Sequence, residues 1–151
     1  MAANTVRYNT FLFFKLPSAW WSGVRLRYLD LGKAVVSVRH RWINQNPFNS
    51  IYWAVQGMAA ELSTGALVTE QIRESSKNVS MLVAANKAEF SKKATGLITF
   101  SCEDGALIAR TLEKAIQSRE GQTVWTKSIG RNEAGDTVST FEFEWTMKLR
   151  G

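Results

Sequence analysis

One carboxylate, Glu61, lies within the most apolar stretch of the chain. An unpaired carboxylate in apolar surroundings is energetically costly or has a raised pKa. Gly57 and Gly65 lie four residues before and after it, on the same side of a helix, and leave space beside the carboxylate. A buried carboxylate beside open space suits a general base that activates water, or a nucleophile that attacks an electrophilic carbon. The alternative is a structural carboxylate that pairs with Arg25, Arg27 or another arginine.

The polar residues that precede Glu61 could assist such chemistry. Asn46 could orient a water molecule or a carbonyl group, and it could equally bond the loop backbone at the start of a helix. The backbone N–H groups near Tyr52 and Trp53 would be unpaired at a helix N-terminus, where they could polarise a carbonyl oxygen. An aromatic side chain at position 52 is also typical of a hydrophobic core. Gln56, one turn later, could contact a substrate or form a hydrogen bond across a dimer interface.

The composition excludes several other kinds of chemistry. One histidine, His40, and one cysteine, Cys102, cannot build a common zinc site or a disulfide, and they leave little for a Ser-His-Asp or Cys-His enzyme. We therefore expect no metal and no resident cofactor, and Cys102 is predicted to be an inert core thiol. The formal net charge of +6 suits an anionic partner, such as nucleic acid, a membrane surface or a phosphorylated cofactor. Without a basic tail or an RNP-type motif, nucleic acid is not expected.

Two apolar stretches have to be tested as membrane spans or signal peptides. Residues 8–21 are too short for a span, are interrupted by Lys15 and have no cleavage site after them. Residues 51–68 carry Gln56 and Glu61 near their middle, which makes the centre too polar for an easy span. The sequence therefore predicts a cytoplasmic protein without a membrane span.

The elements that would position these residues follow from the hydropathy pattern. A short helix is predicted over about residues 5–16, ended by Pro17, and a long central helix over about 50–72, capped by Asn49 or Ser50. Alternating patterns predict strands near 24–31, 34–42 and 137–149, and further strands are predicted near 79–90, 96–103 and 122–130. A further helix is predicted over 106–119. No linker or repeat divides the chain, so residues 1–151 are predicted to form one α+β domain, with an antiparallel sheet curled around the central helix.

The stretch from Asn46 to Glu61 resembles the start of the central helix in the small acyl-CoA thioesterases of the hotdog superfamily. Those enzymes carry the motif N-P-x-G-x-x-H-G-G, and an Asp or Glu follows nine residues after the His. Here the Asn-Pro pair is present, Tyr52 stands at the His position, and Glu61 lies nine residues beyond it. Asn49 and Trp53 replace two of the motif glycines. The helix that follows also resembles that of an uncharacterised branch of the superfamily.

The resemblance implies a hotdog-like fold and the hydrolysis of a thioester, with an acyl-CoA or an acyl-carrier protein as the substrate. Coenzyme A would enter only as part of that substrate. Glu61 would be the catalytic base or nucleophile, and Asn46 would position water or substrate. The family also implies a homodimer or a dimer of dimers, with the acyl site at the interface between the central helices.

The same resemblance suggests where coenzyme A would lie. Lys92 and Lys93 belong to a turn near the coenzyme A groove of the related enzymes, and with Arg131 they are candidates for binding its phosphates. These charges could also belong to a solvated turn. Because the motif His and Gly are replaced, two other functions stay open: a non-catalytic acyl-CoA or lipid-binding module, and a structural dimer whose pocket is filled by Trp53.

Overall fold

The computed structural model describes residues 2–151, with side chains from residue 4 onward. Within these residues a six-stranded antiparallel sheet packs against a long central helix. The elements in chain order are α1 (Ala2–Lys15), α2 (Pro17–Trp21), β1 (Arg25–Leu29), β2 (Ala34–Arg39), a short 3-10 helix (Trp42–Asn44), α3 (Trp53–Ser75), β3 (Val79–Phe90), β4 (Leu97–Cys102), α4 (Gly105–Ser118), β5 (Gln122–Arg131) and β6 (Thr137–Leu149).

The sheet has the strand order β1-β2-β4-β5-β6-β3, and every neighbouring pair is antiparallel. The central helix α3 crosses one face of the sheet and contacts five of its strands. The strict alternation of β6 explains this packing, because Phe141, Phe143, Trp145 and Met147 all point inward and are buried. The α+β class and the sheet wrapped on a central apolar helix are confirmed.

The central helix begins and ends later than the sequence predicts. Asn49 and Ser50 do not cap it, because Asn49 takes a left-handed conformation with φ of 61° and Ser50 closes a turn onto Asn46. The N-cap is Tyr52, whose side chain makes no capping hydrogen bond. At the other end the helix reaches Ser75. The loop before α3 is therefore a folded unit of its own.

The N-terminal region contains one more helix than predicted. α1 ends at Lys15, close to the expected end, but Pro17 then starts α2. Proline is well tolerated at the first position of a helix, where its missing N–H would have no partner in any case. The helix α1 is tied to the edge strand β1 by Asn9, whose side chain bonds both the backbone oxygen and the backbone nitrogen of Leu26, at 3.0 and 2.9 Å.

The two edges of the sheet differ. The β1 edge is covered by α1, whereas β3 pairs only with β6 among the described residues and leaves a twelve-residue edge open. Open edges of this length are normally covered, because their unpaired N–H and C=O groups attract further strands. Cys102 is buried at the end of β4, and burial raises the pKa of its thiol to about 12.

Candidate active site

Glu61 lies in the middle of α3 and lines a cavity of about 750 Å³. Its side chain is half-buried, and no described residue gives its carboxylate a hydrogen bond or an ion pair. Burial raises the pKa of this carboxyl group, because the charged form is removed from water without compensation. The alternative of a structural carboxylate paired with Arg25 or Arg27 does not hold, because the side chains of these arginines bond elsewhere. An unpaired carboxylate beside open space is thus present.

The walls of this cavity come from three directions. The helices α1 and α2 form one side, α3 forms the floor, and the strands β3 and β6 close it. Its lining is mostly apolar, which suits an aliphatic or aromatic group. The apolar residues around Glu61 are Phe11, Leu12, Leu16, Met58, Leu62, Met81 and Trp145.

Gly65 brings the indole of Trp145 close to the carboxylate. A Cβ atom on Gly65 would lie 3.1 Å from the Trp145 ring and 3.6 Å from Glu61 Oε1. Trp145 is held in place by its Nε1–H, which donates to Thr64 Oγ1 at 2.9 Å. At Gly57 a Cβ would meet the Phe141 ring at 3.6 Å. The two glycines thus let the aromatic rings of β6 pack against α3, and the open space lies on the α1 side of Glu61.

A second carboxylate, Glu70, lies two and a half turns further along α3 and is held by ion pairs and a hydrogen bond. It is buried and forms ion pairs with Arg73, one turn away, and with Arg7 of α1 at 3.5 Å. The hydroxyl of Tyr8 also donates to Glu70, at 3.4 Å. Burial, followed by the charge of Glu70, raises the pKa of Tyr8 to about 12. This cluster fixes α1 on α3 and so holds one wall of the cavity.

The N-terminal end of α3 borders a separate groove of about 530 Å³. Six of the eight predicted site residues line it: Asn46, Tyr52, Trp53, Gln56, Lys92 and Lys93. Glu61 lines the other cavity, and Arg131 lines neither of the two. The groove therefore brings the predicted positioning and phosphate-binding residues together, but apart from the predicted base.

The side-chain amide of Asn46 is used within its own loop. Its Oδ1 accepts hydrogen bonds from the backbone nitrogens of Phe48 and Ser50, at 2.9 and 3.2 Å. Its Nδ2 donates to Ser50 Oγ at 2.9 Å. These contacts favour the loop-holding interpretation of Asn46 over direct contact with a reacting group. Gln56 is also engaged, since it accepts from Ser139 Oγ at 2.8 Å and donates to the backbone oxygen of Ile51 at 3.3 Å.

The unpaired donors at the start of α3 are shifted by one residue from those predicted. The backbone N–H of Tyr52 donates to the backbone oxygen of Asn44 at 2.9 Å. No described residue accepts from the N–H groups of Trp53 and Ala54, which are the first two residues of the helix. These two groups, at the positive end of the helix dipole, are available to polarise a carbonyl oxygen.

The lysines of the groove make only surface contacts. Lys92 pairs with Asp136 at 2.7 Å, and Lys93 donates to the backbone oxygen of Phe48 at 3.1 Å. Both lysines are exposed, so a phosphate group could exchange with these partners. Within one chain, the groove and Glu61 are separated, because eight residues of helix between Trp53 and Glu61 span about 12 Å.

Sequence reasoning missed the contribution of the N-terminal helices to this cavity. Tyr8 and Leu12 lie on the buried face of α1, and Phe11 and Leu16 border the cavity. The spacing of Tyr8 and Leu12 indicates a helix face that packs on a core. Nothing in that pattern indicates which other element the face covers. No cluster of His, Cys, Asp and Glu that could hold a metal occurs in residues 2–151.

Solved structures of other proteins have the same architecture. A Pseudomonas aeruginosa protein of unknown function, described as a probable thioesterase, superposes with a TM-score of 0.82 at 20% identity, over 96% of both chains. The PaaI protein from the phenylacetic acid degradation operon of E. coli gives 0.67 at 13% identity, over 99% of this chain and 95% of its own. A thioesterase enzyme from Staphylococcus aureus gives 0.62 at 10% identity, over 83% and 93%. The hotdog fold is thus confirmed.

Sequence comparison gives the family. No curated protein matches the sequence. Residues 5–147, nearly the whole chain, match the family described as "Domain of unknown function (DUF4442)". The chain therefore belongs to the DUF4442 family and has the hotdog fold.

Proposed function

We propose that this protein hydrolyses an acyl thioester, with an acyl-CoA as the substrate and the cytoplasm as its location. The observation that carries the proposal is the unpaired carboxylate of Glu61 beside a largely apolar cavity. A carboxylate that no protein group neutralises can accept a proton from water. The thioesterase descriptions of proteins with the same fold support the same reaction class.

The reaction needs no further cofactor, since coenzyme A is part of the substrate. Glu61 accepts a proton from a water molecule, whose oxygen forms a bond to the thioester carbonyl carbon. The C–S bond then breaks, and the sulfur leaves as a thiol after taking up a proton. Backbone N–H groups at the start of a helix stabilise the negative charge that develops on the carbonyl oxygen. The rate should rise with pH through the raised pKa of Glu61, because only the carboxylate acts as a base.

A homodimer would bring the two halves of the site together. Glu61 of one chain cannot reach the Trp53 and Ala54 N–H groups of the same chain across about 12 Å of helix. The side chains of Phe48, Tyr52 and Trp53, next to those donors, are exposed. The edge of β3 is open as well. Pairing of two β3 edges would cover that edge and place the helix start of one chain near the other chain's Glu61.

The cavity and the groove bind different parts of the substrate. The apolar cavity beside Glu61 takes the acyl group, and the groove with Lys92 and Lys93 takes the coenzyme A phosphates. Arg131 lies outside the groove and would contribute only at long range. Each methylene buried should add about 0.8 kcal/mol of binding. The KM for saturated acyl-CoAs should therefore fall by about fourfold per added methylene until the cavity is full.

Thiol release measured over acyl-CoAs of graded length, with an aromatic acyl-CoA added, tests the proposal. We expect Glu61→Gln to lower kcat/KM by at least about a hundredfold, a loss of about 2.7 kcal/mol in transition-state stabilisation. The matched control is Glu74→Gln, an exposed carboxylate of the same helix, which should leave the rate unchanged. No thiol release from any acyl-CoA by the folded parent protein would exclude acyl-CoA hydrolysis.

The first position of α3 allows a test of the helix donors. Trp53→Pro removes the N–H group and keeps the helix, because proline is favoured at this position and Tyr52, with ψ of 137°, already has a conformation that a following proline accepts. Trp53→Ala is the control, since it removes the same side chain but keeps the N–H. We expect the proline variant to be at least about tenfold slower than the alanine variant.

Mixed dimers can then show whether the site is shared between chains. A dimer of one Glu61→Gln chain and one Trp53→Pro chain contains one intact shared site, and it should recover about half of the parent rate. If each site belonged to a single chain, both sites of the mixed dimer would be defective, and its rate would not exceed that of the Trp53→Pro homodimer.

A non-catalytic acyl-CoA or lipid-binding protein is the second candidate. It is favoured by the occupied amide of Asn46 and by the Tyr and Trp side chains at the motif His and Gly positions. Binding of a non-hydrolysable acyl-CoA analogue that is equally tight in the parent and in Glu61→Gln, without turnover of any thioester, would establish this candidate instead.

A further inference from the structure

The excess of positive over negative charge arises from the first 60 residues of the chain. These contain seven Lys and Arg residues against a single acidic residue, Asp30, whereas residues 61–151 contain twelve of each sign. The formal net charge of +6 therefore comes entirely from the part of the chain that leads up to and begins α3. An excess of one sign on one part of a protein attracts surfaces of the opposite sign.

The same part of the chain exposes large aromatic side chains. Phe14 at the end of α1 is 70% exposed, Trp21 at the end of α2 is 64% exposed, and Trp42 after β2 is 83% exposed. The Phe13 ring contacts those of Phe14 and Trp20, with centroid distances of 5.0 and 5.4 Å. We call the exposed side chains of Phe13, Phe14, Trp21 and Trp42 the N-terminal aromatic face.

The elements that carry this face are attached to one another. Asn44 Nδ2 donates to the backbone oxygen of Ser22 at 2.9 Å. This hydrogen bond holds the 3-10 helix, which begins at Trp42, against the end of α2, where Trp21 lies. The aromatic face is therefore a feature of the fold and does not depend on isolated surface residues. Exposed apolar groups gathered in this way mark interaction sites.

Three arginines that donate hydrogen bonds only to neutral groups, or to none of the described residues, lie near the aromatic face. The guanidinium carbon of Arg25 lies 3.4 Å from the centre of the Trp20 ring. Burial, followed by the positive charges of Arg27 and Arg41, lowers the pKa of Arg25, as expected when three like charges lie near one another. Within the described residues, no carboxylate forms an ion pair with any of the three. Their charges are available to an external anion.

We propose that the N-terminal aromatic face binds the surface of a membrane that contains anionic lipids. Aromatic side chains enter the interfacial region of a bilayer, while neighbouring arginines contact negatively charged headgroups. A second copy of the chain fits this surface less well, because it would bring the same arginines against one another. The protein would lie on the membrane without crossing it. No helix within residues 2–151 combines the length and apolarity that a crossing requires.

Membrane binding through this face would bring the cavity to a membrane-dissolved substrate, an inference that rests on the proposed function. The exposed residues Phe11, Leu16, Pro17 and Ser18 line the cavity near the junction of α1 and α2, within two to four residues of Phe13 or Phe14 along the chain. A long-chain acyl thioester dissolved in the bilayer would meet the cavity at this junction. Membrane binding itself does not require the hydrolytic activity.

Co-sedimentation with vesicles tests the proposal. The parent protein is mixed with vesicles of phosphatidylcholine alone, and with vesicles that also contain phosphatidylserine. We expect binding to the mixed vesicles, weaker binding to phosphatidylcholine alone, and a loss at high salt. The double variant Phe14→Ser, Trp21→Ser should bind at least about tenfold more weakly, and so should Arg27→Glu, Arg41→Glu.

Matched controls keep the result specific. Trp125→Ser changes an exposed tryptophan on the far side of the sheet, and Arg110→Glu, Lys148→Glu reverses two exposed charges elsewhere; both should bind as the parent does. Hydrolysis of a short, water-soluble acyl-CoA should be unchanged in the Phe14 and Trp21 variant. The proposal is overturned if the parent does not sediment with anionic vesicles. It is also overturned if the aromatic and control variants bind equally, or if the face instead drives self-association or nucleic acid binding.

Discussion

Two carboxylates on the same helix have opposite environments. Glu70 is buried and receives ion pairs or hydrogen bonds from Arg7, Tyr8 and Arg73. Glu61, nine residues earlier, has no such partner among the described residues and lies beside an open cavity. The side chain and the helix are the same in the two cases, so the difference arises from the surroundings of each carboxylate: Arg73 of α3 and two residues of α1 contact Glu70, and none of the described residues pairs with Glu61.

This difference separates a structural carboxylate from a candidate catalytic one. The partners of Glu70 compensate for its removal from water, and the carboxylate in return fastens α1 to α3. The charge of Glu61 is not compensated, so its ionised form weakens the folded state while it remains free to accept a proton. Removing the charge at the two positions should therefore have opposite effects on stability.

The largest stability effect is expected at Glu70. Glu70→Gln removes the acceptor charge from two ion pairs and should lower the free energy of unfolding by about 2 kcal/mol, the usual size for lost hydrogen bonds to a buried charged group. Urea unfolding at neutral pH measures this loss, with Glu74→Gln as the exposed control. An unchanged midpoint would mean that α1 is fastened by its other contacts, such as Asn9 with Leu26.

The opposite and smaller effect is expected at Glu61. The pKa of Glu61 is raised in the folded protein. Its contribution to the stability of the folded state is therefore fully present below the ordinary pKa of 4.5 and is lost as the pH rises through the raised pKa. Glu61→Gln should therefore be more stable than the parent at pH 7, and the two should converge near pH 4. Thermal midpoints at both pH values measure this, and an equal difference at both would contradict the assignment.

The smallest effect is expected at Tyr8. Its hydroxyl donates to Glu70 over a long distance of 3.4 Å, so Tyr8→Phe should cost only about 0.5 kcal/mol. Together with Glu70→Gln it forms a double-mutant cycle, in which a shared cluster predicts less than additive losses. Additive losses in urea unfolding would show that Tyr8 packs beside Glu70 without depending on it.

Elements governed by local alternation could be predicted closely from the sequence. The range for β6 is correct because its alternation is long and regular, and the range for β3 is correct as well. Glu61 stands out as a candidate in the sequence because its neighbours in the same helix are apolar. The start of α3 was predicted too early. Asn49 and Ser50 are good capping residues, but the turn closed by Asn46 uses them first.

Contacts between distant segments could not be predicted in this way. The partners of Glu70 come partly from α1, more than sixty residues away along the chain, and the cavity wall opposite Glu61 comes from the same helix. An amphipathic pattern indicates that α1 buries one face, but it does not indicate what that face meets. The shift of the free donors from Tyr52 to Ala54 likewise depends on a single bond to Asn44.

The buried thiol of Cys102 has a practical consequence for assays that use chromogenic thiol reagents. It is the only cysteine, it is buried, and its pKa of about 12 keeps it protonated at neutral pH. Such reagents attack thiolates, so the native protein should contribute almost no signal of its own. Any colour that develops in a mixture with an acyl-CoA would then report coenzyme A alone, and a cysteine introduced at the surface could carry a label at one known position.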